Sequence, residues 1–388
     1  MKFVLAKNII IAGKLKREYR DSKMRAYISI VFVLVTFASF VFGQNEEIIR
    51  VETQLVNVPV SVKDKNGRPI LNLRRENFVV YEDGVKQQIE SFGRATEPFE
   101  IALLLDTSGS TRNELTLIRR AAENFISSLK PGDKVAIIAF QTVKTENKAT
   151  AVPEILTKLT DDRTKLKDAL AEVKTSNGTP YYDAMLEILD KIFSEEPKET
   201  SLHGRRAIVA LTDGVDSVSL SDFDEVKEKL RERNIVAYFI QLDTRDFFEQ
   251  GLLQDCETAT RFSVAQLRRY YKQFGTKSKM EKTYDFCSLG YFERLAISKK
   301  LYEIADEEMH TLARESGGKV FPVADLNEAR TALKQVAEEI STIYTLGYYS
   351  SNERRDGTYR TIKVEVKGIS PGFKIQAREG YFAPRSNY

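Results

Sequence analysis

The chain has 388 residues, 42% hydrophobic and 30% charged, with a net charge of +3. That is about two domains' worth of globular sequence, and the near-neutral balance without any base-stacking motif argues against a dedicated nucleic-acid surface. Two cysteines and two histidines, far apart in sequence, cannot assemble a Cys/His zinc site, so any metal must be held mainly by oxygen.

In chain order, residues 28–42 (ISIVFVLVTFASFVF) are apolar and follow Lys23 and Arg25. Fifteen residues are short for a membrane span and right for a signal-peptide core. Residues 1–43 therefore read as a signal peptide cleaved before Gln44, or as an uncleaved signal anchor, with Met24 a better start than Met1. Either way the bulk of the chain is expected outside the cytoplasm, secreted or in the periplasm. Membrane contact is expected only if the segment stays as an anchor. Residues 46–96 alternate apolar and polar side chains, with turn signals at Asn66-Gly67 and Asp83-Gly84. So few strands make a poor core alone. Similar short strands recur in 344–388, so the two ends are expected to pair into one small β-sandwich with the intervening domain inserted between them, the alternative being two separate β appendages packed on the α/β core.

From residue 99 to 343 strands and helices alternate. Strands are expected at 100–105, 134–140, 207–211, 235–242 and 319–323. Helices are expected at 114–129, 163–174, 181–193, 223–233, 301–316 and 326–343. A polar connection is read at 142–149. This alternation predicts an α/β fold, doubly wound around a mostly parallel sheet. Residues 244–300 interrupt it as an insertion rich in Tyr, Phe, Lys and Arg, which should leave the sheet at its carboxyl edge. It reads either as a partner-contacting subdomain or as a helical excursion packing its aromatics inward. Cys256 and Cys287 both fall in it and would pair as a disulfide in an oxidising compartment or remain two thiols.

The densest chemical signal is IALLLDTSGS, residues 101–110. A continuously apolar strand ends in Asp106, followed by Ser108 and Ser110. Thr179 stands in a later loop before a helix, and Asp213 in Thr-Asp-Gly directly after another apolar strand. Carboxyl ends of strands are where open α/β sheets bind ligands. An all-oxygen set of carboxylates and hydroxyls suits a hard cation such as magnesium, with manganese or calcium as alternatives. Read without a metal, the same aspartates would cap helices and the serines would satisfy loop amides. Asp183, Asp216 and Asp243 read as capping or solvated acids.

Asp-x-Ser-x-Ser, a later Thr and a later Thr-Asp-Gly resemble the metal-ion-dependent adhesion site of von Willebrand factor type A domains, and the flanks resemble exported bacterial proteins of that kind. The resemblance implies that Ser108, Ser110 and Thr179 offer hydroxyl ligands while Asp106 and Asp213 act largely through water. It further implies that an acidic side chain of a partner protein completes the shell, and that the last helix can shift between open and closed states. The expected function is a non-enzymatic, adhesion-like protein-binding module. The alternative is a structural or assembly subunit of an envelope complex that binds through its sandwich or insertion without metal. Catalysis is not expected: no Walker-type loop appears, and neither His203 nor His310 is placed to activate a serine.

Overall fold

The structure, a computed structural model, describes residues 55–109, 114–146, 148–195, 204–233, 235–274 and 286–385. The expected signal segment, Ser110, His203 and the Lys-rich stretch 277–282 lie outside the described residues.

Two four-stranded antiparallel sheets flank the α/β body in sequence and join in space. Strands β1 (Leu55–Lys63), β2 (Phe78–Glu82), β3 (Val85–Gln87) and β4 (Ile89–Gly93) come from the N-terminal side. After β4 the chain enters the body with β5 (Glu100–Leu105), α1 (Leu115–Ser128), β6 (Lys134–Thr145), β7 (Lys148–Thr160), α2 (Arg163–Glu172) and α3 (Tyr181–Glu187). It continues with β8 (Arg206–Thr212), α4 (Phe223–Arg233), β9 (Val236–Leu242), α5 (Arg245–Leu252), α6 (Val264–Phe274) and α7 (Tyr291–Ser316). Then come β10 (Val320–Val323), α8 (Leu326–Ile340), β11 (Tyr344–Tyr349), β12 (Tyr359–Val366), β13 (Lys374–Ala377) and β14 (Gly380–Phe382).

The sandwich sheets run β13-β1-β11-β4 and β14-β12-β2-β3, so each mixes strands from both ends of the chain. Alternation along β1 sends Val58, Val60 and Val62 inward, where they meet Phe78, Val80, Tyr344 and Leu346. Burial on one face makes the period-2 pattern legible along β12, whereas β1 and β11 are buried on both faces over most of their length. At the heart of the sandwich Glu82, 2% exposed, accepts hydrogen bonds from Tyr348 (2.7 Å) and Tyr381 (2.9 Å), and Arg360 Nη1 lies 3.3 Å away.

The body is a six-stranded sheet, β10-β9-β8-β5-β6-β7. All pairings are parallel except β6 with β7, which is antiparallel. One face is covered by α1, α2 and α8 through residues such as Ile118, Phe125, Leu166 and Leu333. The other is covered by α3, α4 and α7 through Tyr181, Met185, Leu230 and Met309. Central strands buried on both faces explain the unbroken apolar runs. The expected doubly wound α/β body between flanking strands that form a sandwich is borne out.

Three local expectations need correction. The polar stretch 142–149 is no loop but the tip of a long hairpin, and 148–160 is an edge strand. Its side chains are mostly half-buried, and Pro153 is tolerated there because an edge strand need not donate on its outer side. The helix expected to start at 301 starts at Tyr291, so the end of the insertion is the first part of α7. The helix expected over 181–193 is α-helical only to Glu187 and continues as a wider π-turn over Ile188–Ile192.

Among its described residues the rest of the insertion carries the helices α5 and α6 and has its own small core, in which Leu252, Phe262, Leu267, Phe286 and Leu301 pack with Val215 of the body. Cys256 and Cys287 form a disulfide with Cα atoms 5.1 Å apart. Closing about thirty residues in this way contributes roughly 3–4 kcal/mol in the loop-entropy account. Among the insertion's described aromatics, Phe248, Phe262, Tyr270, Tyr271 and Phe286 pack in or against this core, while Phe247, Phe274, Tyr291 and Phe292 remain exposed.

Candidate metal centre

Strand order sets the site. β5 continues to β6 on one side and pairs with β8 on the other, so the sheet switches direction between β5 and β8, the position where open α/β sheets hold ligands. Asp106 follows the last residue of β5 and Asp213 the last residue of β8, and the Asp106 amide donates to Leu211 O at 2.9 Å. Both aspartates, Ser108 and Thr179 are buried.

The surrounding loops are pinned to one another. The Ser176 amide donates to Thr107 O (2.7 Å), and Thr107 Oγ1 donates to Phe140 O (2.9 Å). The Thr179 amide donates to Ser217 Oγ (2.8 Å), while the Ser217 amide returns a bond to Thr179 O (3.0 Å). Asp106 accepts from the Ser108 amide (3.0 Å) and from Thr212 Oγ1 (2.7 Å). Gly214 of Thr-Asp-Gly has φ +71, and a Cβ there would press on the Met309 side chain. A left-handed residue hard against α7 explains why glycine follows the aspartate.

Asp213 accepts from the Val215 amide (2.9 Å) and from Thr244 Oγ1, and Thr244 Oγ1 lies 2.8 Å from the Tyr302 hydroxyl. Among the described residues no lysine, arginine or histidine pairs with it. Burial, followed by the nearby charge of Asp106, raises its pKa to about 7. Burial also raises that of Asp106, against the hydrogen bonds from Ser108 and Thr212. Two desolvated carboxylates sharing a pocket is an arrangement that a cation relieves.

The neighbouring acids have other partners. Asp216 accepts from the amides of Tyr181 (2.9 Å) and Tyr182 (3.3 Å), capping α3, and lies 3.5 Å from Arg269 of the insertion. Asp183 accepts from the amides of Leu220 and Ser221, and Asp243 from that of Arg245. His310 is half-exposed beside Asp306 (3.7 Å).

The structure thus brings Asp106, Ser108, Thr179 and Asp213 to one sheet edge. Thr244 and Tyr302 were missed in the sequence. Thr244 could have been found, since it lies two residues past β9 on the edge that carries Asp213. Tyr302 carries no local signal, because only the packing of α7 brings it there.

The comparisons with known proteins bear on the fold. Residues 101–215 match the family model of the von Willebrand factor type A domain. This type A segment spans all five motif positions, and the body has the type A kind of α/β fold. No curated protein is significantly similar to the chain. Among solved structures, the conserved hypothetical protein BatB from Bacteroides thetaiotaomicron is 17% identical, with 63% of this chain and 98% of that one covered at a TM-score of 0.38. A von Willebrand factor type A protein from Catenulispora acidiphila is 11% identical, with 87% and 75% covered at 0.39. The von Willebrand domain of the type V pilus tip protein Mfa5 from Porphyromonas gingivalis is 15% identical, with 31% and 38% covered at 0.25. At these scores the fold assignment rests on the family match and the sheet order.

Proposed function

We propose that the chain is an exported, non-enzymatic protein-binding module that recognises an acidic group of its partner through a divalent cation, magnesium in the first place. The observation that carries this reading is Asp213, a buried carboxylate beside a second one with no countercharge among the described residues. A buried charge without a partner is costly unless an ion compensates it.

The donor set fits a hard cation. Ser108 and Thr179 offer neutral hydroxyls, with Ser110 as the expected third, and Asp106 and Asp213 supply charge. When bound, the cation would act as an electrophile toward one further oxygen donor. The chain's own residues do the rest: the hydrogen-bonded loops hold the donors in place, and burial keeps bulk water from competing.

The test is calorimetric titration of MgCl2 and MnCl2 into the purified chain and its Asp106→Ala variant. Partner capture is then carried out with and without EDTA. Saturable binding lost in the variant, and capture lost in EDTA, support the proposal. Absent or unchanged metal binding overturns the site, and capture that survives EDTA moves recognition to the sandwich or the insertion, as an assembly subunit would have it.

A further inference from the structure

A second cleft lies away from the sheet edge, where the sandwich meets the body. It has a volume of about 260 Å3. Its floor is the outer face of the β1–β13 pair, and its walls are the C-terminal ends of α7 and α8. Alternation explains the floor. Val58, Val60 and Val62 face the sandwich core, so Pro59 and Ser61 face outward, and Ser61 stands opposite Gln376. Arg378, one residue past β13, continues the same alternation.

Two features of this floor are unexpected in a merely structural seam. The Ser61 side chain is 5% exposed, and its hydroxyl has no hydrogen-bond partner. Arg378 is 6% exposed, and among the described residues its guanidinium donates to backbone carbonyls, Gly380 O at 2.9 Å and Asn57 O at 3.5 Å. Among the described residues no carboxylate pairs with it within ion-pair distance, and the Tyr381 ring lies 5.8 Å from it. Burial pushes its pKa down to about 10, partly offset by Tyr348 and Glu315. The C-terminus of α7 faces it as well, but a helix end supplies only about half a negative charge. Arg205 and Arg294 are likewise buried on backbone carbonyls, but each makes at least three such bonds, whereas Arg378 makes one short bond and one marginal one; buried hydroxyls are otherwise mostly bonded. At the mouth stands Arg314, whose side chain among the described residues makes one long hydrogen bond, to Thr311.

We propose that this cleft binds a small organic carboxylate, seated between the Arg378 guanidinium and the Ser61 hydroxyl with Arg314 closing the mouth. Its volume lies just below that of drug-sized pockets, and it sits at a domain junction where ligand sites concentrate. A guanidinium fork matches a planar carboxylate. Glu339, Glu379 and Glu315 stand around it and repel a doubly charged anion, which favours a carboxylate over phosphate. Glu339 is already engaged by Lys319 at 2.6 Å. The inference is independent of the proposed metal site.

The test is thermal unfolding of the full chain in EDTA, so that no cation-bound carboxylate contributes. Acetate, propionate, glycolate and inorganic phosphate are added in turn at matched ionic strength. The expected result is a rise in Tm of several degrees with at least one carboxylate, saturable and larger than with phosphate. Arg314→Ala should weaken that carboxylate at least threefold. Ser61→Leu, which fills the cleft without removing a bond, should abolish the shift. A Tm unmoved by every carboxylate, or a shift that survives Ser61→Leu, overturns the proposal. A larger response to phosphate than to any carboxylate overturns the choice of ligand class.

Discussion

Asp213 is the residue whose chemistry can be read most directly in solution. An unfolded aspartate titrates near 3.8, whereas in the folded, metal-free chain burial and then Asp106 raise this one to about 7. Between those values the unfolded chain has released its proton while the folded chain keeps it. Stability therefore falls as pH rises from about 4 to about 7 and levels off above, with a ceiling of about 4 kcal/mol from this group. Urea unfolding in EDTA at pH 5, 6, 7 and 8 should show that slope, and Asp213→Asn should flatten it. An unchanged slope in the variant would assign the pH dependence elsewhere. Saturating magnesium should oppose the trend, because a cation favours the ionised pair, and its affinity should weaken below pH 7 as protons compete. The aspartates were legible in the sequence because a strand end followed by an acid and two hydroxyls is a local pattern. The Thr244–Tyr302 pair behind Asp213 was not, since it depends on where a distant helix packs.

At the scale of elements, the turn after α7 is the tightest joint in the body. Gly317 ends the helix in the left-handed conformation, and Gly318 lies so close to β9 that a Cβ would overlap the carbonyl oxygen of Ala237. No flexible side chain can yield there, because the obstacle is backbone in a central sheet. Gly318→Ala should destabilise the chain by about 3 kcal/mol or more, measured by chemical denaturation, whereas Arg330→Ala on exposed α8 surface should be near neutral. A variant at 318 as stable as the parent would mean that β10 can separate from β9. The long apolar strands and capped helices were easy to anticipate from periodicity. β7 was not, because a half-buried edge strand interrupted by Pro153 has neither the apolar run of a central strand nor a clean alternation. The early start of α7 was obscured for a related reason. Residues 291–300 carry exposed aromatics, Tyr291 and Phe292, beside a buried Arg294 and an exposed Lys299, so they read as insertion although they are the first three turns of the helix.

For the whole molecule, the decisive arrangement is a sandwich built from both ends of the chain. Its centre is Glu82 from β2, held by Tyr348 of β11, Arg360 of β12 and Tyr381 of β14. Glu82 and Arg360 are each 2% exposed. Arg360→Met would leave the Glu82 carboxylate buried without its cation, at a cost of about 3–5 kcal/mol. A Tm fall of roughly 10 °C is expected from that, and adding Glu82→Gln should restore most of it. Failure of the second substitution to restore stability would show that Arg360 acts through packing rather than charge.

The same arrangement imposes an order on synthesis. β1 pairs with β11 through contacts such as Leu55 with Tyr349, partners separated by nearly the whole described chain. Growing at roughly 5–20 residues per second, a nascent chain would present β1 to β4 for about 15–60 seconds before their partners exist. The body is complete only when α8 ends at Ile340, just before β11 begins at Tyr344, so for most of that interval neither half can close. The N-terminal strands of the sandwich spend that time as open edges with alternating apolar faces, the features that invite unwanted pairing. The cell must therefore shelter the first part of this chain until its last part arrives.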